Sequence, residues 1–146
     1  MIALACDHGG FELMQSVIKY LESKDIGYQD FGTFSSDSCD YPTIAAPAAN
    51  AVAGGICDRG IFICGTGIGM SIAANKIHGI RAALCTNCYM AEMTRSHNDA
   101  NILVLGGRVL EINSAVEIIK VFLSTDFSGE EKHRRRVAML NALDNE

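Results

Sequence analysis

The chain has 146 residues, 49% of them hydrophobic and 20% charged, a composition that builds one folded core and excludes a disordered chain. Seventeen acidic residues against 12 basic ones give a net charge of −5, which argues against a general nucleic-acid binder. No apolar run reaches the ~18 residues of a membrane span, and Met1 to His8 lack the segments of a signal peptide, so a cytoplasmic location is expected.

Ile2 to Cys6 reads as a buried strand and Asp7 to Gly10 as a turn. Phe11 to Ser23 follows with apolar residues at 13, 14, 17, 18 and 21, the helical pattern. Gly27 to Phe31 is a second, poorer strand. A polar loop over 32–42 ends in Asp40-Tyr41-Pro42, and Thr43 opens a helix to about Ala53. Pro47 falls near its first turns, where proline is tolerated, and Gly54-Gly55 closes it. Ile61 to Ile63 suits a strand buried on both faces. Gly65, Gly67 and Gly69 break that run before Met70 to Lys76 resumes in helical spacing. Ile80 to Cys85 is a fourth strand and about Tyr89 to Ser96 a helix. Ile102 to Leu105 is a fifth strand, stopped by Gly106-Gly107. Glu111 to Leu123 is a strongly amphipathic helix, and Glu130 to Leu143 a last helix with apolar positions at 137, 140 and 143.

Five strands in 146 residues give units of about 29 residues, close to the ~30 of a βαβ unit. The expected fold is α/β, a single domain with a parallel sheet and right-handed crossovers. Ligands of such sheets sit beyond the C-terminal strand ends. That rule groups Asp7-His8, the 32–42 loop with Tyr41, Cys64 to Gly69, Thr86-Asn87, and Gly107-Arg108.

The turn after the third strand matches neither G-x-G-x-x-G nor Gly-Lys-Ser/Thr, so neither a dinucleotide nor a Walker-type phosphate loop is indicated. Its amides converge at a helix N-terminus, a place for an anion or a developing negative charge. A thiol, Cys64, and a hydroxyl, Thr66, flank those amides and point to chemistry on a small molecule. Cys64 fits two roles: a small buried residue at a strand end, or a thiolate base or nucleophile activated by the helix N-terminus. Asp7 fits a helix N-cap or, with His8, a pair of ligands for sugar hydroxyls. His97 and Asn98 fit a helix C-terminus, or His97 a general acid/base. His78, at the opposite end of the sheet, reads as structural. Lys132 and Arg136 share one helix face, either a solvated one or, with Arg108, a phosphate grip. Cys6, Cys57, Cys64 and Cys85 lie in or beside apolar runs, which suits reduced, buried thiols. Cys85 and Cys88 form one C-x-x-C, a weak metal or redox signal without a second pair.

Five segments in register resemble the motifs of the ribose-5-phosphate isomerase B family, whose wider group includes allose- and galactose-6-phosphate isomerases. They are Asp7-His8-Gly9-Gly10, Asp40-Tyr41-Pro42, Cys64 to Gly69, Ser71 to Lys76, and Ser96 to Asn101, and the likeness spans nearly all 146 residues. The resemblance implies a three-layer α/β/α sandwich, Rossmann-like, with a five-stranded parallel sheet in the order 2-1-3-5-4. It implies a homodimer or dimer of dimers, with sites made by both subunits and the last helix, about 130–143, reaching the partner. The implied activity is aldose–ketose isomerisation of ribose 5-phosphate and ribulose 5-phosphate, a step of the pentose phosphate pathway, with no metal and no cofactor. His97, helped by Asp7, would open the furanose, and Cys64 would take the C2 proton to give a cis-enediolate. Thr66 and the amides of Gly65 to Ser71, with Gly67 and Gly69 shaping the loop, would hold the charge. His8, Arg108, Lys132 and Arg136 would bind phosphate, and Tyr41 and Asn98 the sugar. Arginine is common in the family where this chain has Lys132, and some relatives use a glutamate base where this chain has Met70. Two readings compete from other classes: a flavodoxin-like binding module, and a thiol redox protein with a low-pKa Cys85. Within the family, an isomerase of a six-carbon sugar phosphate such as allose 6-phosphate is the alternative.

Overall fold

A computed structural model describes residues 1–145. Strands β1 (Ile2–Cys6), β2 (Tyr28–Asp30), β3 (Arg59–Cys64), β4 (Ala82–Leu84) and β5 (Ile102–Gly106) alternate with helices α1 (Phe11–Ser23), α2 (Tyr41–Ala53), α3 (Ile68–Asn75), α4 (Cys88–Asn98) and α5 (Ile112–Ser124). Helix α6 (Glu131–Ala142) and a 3₁₀ turn over Leu143–Asn145 follow. All strand pairs are parallel and the order is β2-β1-β3-β5-β4, as the resemblance implies.

Alternation along the strands builds two apolar layers. Leu4, Cys6, Ile61, Ile63, Leu103 and Leu105 face α1, α5 and Ala91 of α4. Ala3, Ala5, Phe62, Cys64, Ile102 and Val104 face α2 and α3. The second layer is thin because α2 presents Ala45, Ala48 and Ala49, which let it lie close to the sheet. Among the described residues no helix is long and apolar enough to cross a membrane.

The elements depart from the sequence reading where end effects decide. β2 and β4 are shorter than Gly27–Phe31 and Ile80–Cys85, because each is an edge strand with a ladder on one side only. α2 starts at Tyr41 rather than Thr43: Asp40 takes the extended N-cap conformation, and Pro42 falls in the first turn, where its missing N–H costs nothing. Pro47 is therefore inside the helix and not near its start. α3 begins at Ile68, ahead of Met70, and α4 runs on to Asn98. On α6 only Val137 of the expected apolar positions is buried, and Leu140 and Leu143 are exposed.

Candidate active site

Three loops meet at the C-terminal end of the sheet. After β1, the Asp7 carboxylate is buried and its Oδ1 accepts from the N–H groups of Gly9 (2.9 Å) and Gly10 (3.2 Å). Asp7 thus ties its own turn, and Gly10 holds the N-cap position of α1, so Asp7 is not that cap. The turn is pressed on the loop after β3. A Cβ on Gly10 would stand 2.4 Å from the Ile63 carbonyl oxygen, and one on Gly9 would stand 2.9 Å from the Gly65 backbone. The loop after β5 closes the group, with Gly107 N–H on Cys64 O (2.8 Å) and Arg108 N–H on Gly65 O (2.9 Å). The Arg108 guanidinium lies over Gly65, Nη1 3.4 Å from where a Cβ would be.

Cys64 ends β3 and is buried beneath this junction. Gly67, at φ +84°, turns the chain into α3 at the N-cap. Thr66 Oγ1 accepts from Ile68 N–H (3.2 Å), leaving the hydroxyl hydrogen free to donate outward. The Ser71 N–H is held by Gly67 O (3.0 Å), so Ser71 offers only its hydroxyl, a correction to the expected run of amides through Ser71. The amides of Gly65, Thr66, Gly67, Gly69 and Met70 remain as the donors of the turn. The Tyr41 ring crosses Gly69, where a Cβ would stand 2.6 Å from Tyr41 Cζ.

A cavity of about 660 Å³ opens beside this cluster, lined by Asp7, His8 and residues 39–43. The Cys39 N–H donates to His8 Nδ1 (3.2 Å), which makes Nδ1 the acceptor and directs the Nε2 hydrogen outward in the neutral ring. Cys39 Sγ lies 3.9 Å from the same nitrogen. The sequence carried no signal for Cys39, which sits in an aperiodic polar loop.

The other half of the expected site is elsewhere. α4 starts beyond the C-terminal end of β4 and carries the chain back, so His97 and Asn98 reach the N-terminal end of the sheet. There Arg81, the residue before β4, donates to the carbonyls of Asn98 (Nε, 3.0 Å) and Asp99 (Nη2, 2.8 Å). The strands between are five or six residues long, roughly 17–20 Å. Asp7 and His97 therefore cannot act on one sugar from a single chain, a correction to their pairing if both are taken from one copy. Asp99, in the left-handed conformation at φ +48°, ends α4 and is clamped by Arg95 (Nη1 to Oδ1, 2.9 Å). α6 packs on α4, and its buried His133 stacks on His97 with ring centroids 4.1 Å apart and planes at 12°. Lys132 and Arg136 are exposed on the same helix. Burial, then the neighbouring His97, holds the proton affinity of His133 below the ordinary histidine range.

The C-x-x-C pair lacks the low-pKa thiol that the redox reading expects at Cys85. Cys85 is buried and its thiol is pushed up to about 11 by that burial, opposite to the low value a reactive dithiol needs, while Cys88 is exposed at the start of α4. Among the described residues no three His, Cys, Asp or Glu side chains are grouped to hold a metal ion.

Comparison with known proteins agrees with this geometry. A model of the ribose/galactose isomerase family matches residues 2–140. Ribose-5-phosphate isomerase B of Escherichia coli K12 is 44% identical over 143 residues, 98% of this chain and 95% of the relative. The solved structure of the Clostridium thermocellum ribose-5-phosphate isomerase B superposes with a TM-score of 0.96 at 47% identity, covering 99% of this chain and 97% of that one. The ribose 5-phosphate isomerase of Thermotoga maritima gives 0.94 at 48%, covering 97% of both chains. With its glycine-bounded thiol, its sheet order and this full-length likeness, the chain belongs to the ribose/galactose isomerase family.

Proposed function

We propose that this protein interconverts ribose 5-phosphate and ribulose 5-phosphate in a site shared by two copies of the chain. The observation that carries the reading is Cys64, a strand-end thiol beneath the uncommitted amides of the 65–70 turn. As thiolate, Sγ takes the C2 proton of the open-chain aldehyde and the electron pair moves onto the carbonyl oxygen. The Thr66 hydroxyl and the turn amides stabilise the resulting cis-enediolate. The proton of the C2 hydroxyl passes to the oxygen on C1, Sγ returns a proton to C1 as the C2 carbonyl forms, and the ketose leaves. Asp7, with Oδ1 fixed by Gly9 and Gly10, accepts a sugar hydroxyl through Oδ2, and Tyr41 lies over the loop beside the sugar.

His97 opens the furanose from a second copy, moving a proton between the C1 hydroxyl and the ring oxygen. Asn98, Lys132 and Arg136 arrive with it, and His8 and Arg108 meet the phosphate from the Cys64 side. Apolar residues flank both halves: Ile68 and Ile72 stand exposed on α3 beside the Cys64 turn, and Met139, Leu140 and Leu143 stand exposed around α6. A second copy covering these surfaces joins the halves. Residues 1–146 thus form one isomerase domain, with α6 reaching the neighbour.

The test is turnover of ribose 5-phosphate in D2O with EDTA, followed by NMR for wild type and Cys64→Ala, with allose 6-phosphate run alongside. Metal-independent turnover that falls in the variant by roughly 10²–10⁴-fold is the expected result. A fully active Cys64→Ala removes the thiol from the mechanism. Faster turnover of allose 6-phosphate moves the substrate to the six-carbon class.

A further inference from the structure

His133 has no part in the mechanism above, yet it is the side chain that His97 lies on. The stack is nearly parallel, 4.1 Å between centroids and 12° between planes, and His133 is buried while His97 is half-buried. An imidazole in the last turn of a helix has a broad second torsion, so its nitrogens sweep an arc unless something holds the ring plane. We propose that His133 is a positioning residue for His97, a flat platform that fixes the plane of the imidazole and so aims its proton at the ring oxygen of the sugar. The proposal rests on the isomerase reading given above.

α6 is also held in place by contacts that do not depend on the stack. Arg81 donates from Nη1 to Asn141 Oδ1 of α6 (2.8 Å) while its Nε and Nη2 hold the carbonyls of Asn98 and Asp99. Removing the His133 ring therefore frees His97 without detaching α6 and the phosphate ligands it carries. The charges around the pair also divide its labour. Lys132, Arg136 and His97 disfavour a proton on His133, and Glu130, 4.0 Å from Nε2, only partly offsets them. Two face-stacked rings disfavour charge on one another at this distance, and His133 is the one whose burial and cationic neighbours lower its proton affinity.

The test separates ring opening from enolisation. Ribulose 5-phosphate has no ring to open, because the oxygen on C5 carries the phosphate, so its deuterium uptake at C1 in D2O needs phosphate binding and the Cys64 thiol but not the ring-opening proton transfer by His97. His133→Ala is expected to slow conversion of ribose 5-phosphate by about tenfold or more, within the roughly 10²-fold that a 1 Å misplacement costs, and to leave C1 exchange of the ketose within about twofold. His133→Phe, which keeps a flat face and has no proton, is expected to restore aldose conversion to within a few-fold of wild type. His133→Leu fills the space without the face and, if His133→Ala fails to fold, carries the same prediction. Equal losses in both assays, no loss in either, or a Phe variant as slow as Ala overturns the proposal. A wild type inactive on both sugars overturns instead the isomerase reading, and the two failures are told apart before any variant is measured.

Discussion

The end of the sheet that carries Cys64 is made of backbone, and the end that carries His97 is made of side chains. At the first, three loops touch through Gly9, Gly10, Gly65, Gly106 and Gly107, where added Cβ atoms would stand 2.4–3.4 Å from their neighbours. At the second, Arg81, Arg95, Asn101 and Asn141 hold the reversal after α4 through charged and amide groups. Backbone packing gives donors fixed to fractions of an ångström, which suits stabilising an enediolate. Side-chain scaffolding holds groups offered outward to a second molecule. The function proposed above divides the chain in the same way, with a rigid half for bond chemistry and a presented half that delivers a proton to a second copy.

The sharpest way to break this comparison is complementation. Cys64→Ala and His97→Ala, each expected to lose most activity alone, are unfolded together and refolded in equal amounts. If the halves come from different copies, each mixed dimer contains one intact site. With half the dimers mixed, roughly one quarter of wild-type activity returns. A mixture no better than its parts places both residues in one chain's site and ends the division.

Next in size is the loss of a scaffold side chain at the His97 end. Arg95 is buried against Phe122 and bonds Asp99 Oδ1, Ala100 O (2.7 Å) and Thr125 O (3.1 Å). Arg95→Met keeps the stem and strands those acceptors, at a cost of about 3 kcal/mol in urea unfolding. Gly10→Ala probes the other end. Its backbone, φ −107° and ψ −5°, suits alanine, so the close contacts with the Ile63 carbonyl and Cγ2 are what resist it, and about 1–3 kcal/mol is expected. Gly27→Ala, with nothing within 4 Å, is the control and should stay within about 0.5 kcal/mol.

The same contrast explains what the sequence disclosed. Ile61 to Ile63 and Ile102 to Leu105 read as strands because both faces are buried, and the strand-end rule for parallel sheets groups Asp7, Tyr41, Cys64 and Arg108, whose loops the structure brings together. Edge strands β2 and β4 are shorter than their composition predicts because pairing, not composition, ends them. α2 starts two residues before the predicted Thr43 because Asp40 and Pro42 act as a start signal only once the loop's course is known. His97 was recognisable as a candidate, but its partners were not. Cys39 reaches His8 from 31 residues away, and His133 reaches His97 through the packing of two helices, neither of which leaves a period in the chain.

The smallest effect concerns two buried thiols on the face of the sheet away from Cys64. Cys6 lies on the far face of the sheet from Cys64, and burial, then Asp30, pushes its thiol up to about 12, while burial alone pushes Cys85 to about 11. In the unfolded chain both titrate near 8.5. The folded state therefore holds more protons above that value, so stability is intact below about pH 8.5 and falls as pH rises towards 11 and 12. Between pH 8 and 9.5 the loss is about 1 kcal/mol for each thiol, read from urea midpoints. A Cys6→Ala/Cys85→Ala variant should lose less over the same range. Equal slopes would mean that these thiols ionise in the fold as freely as in the open chain.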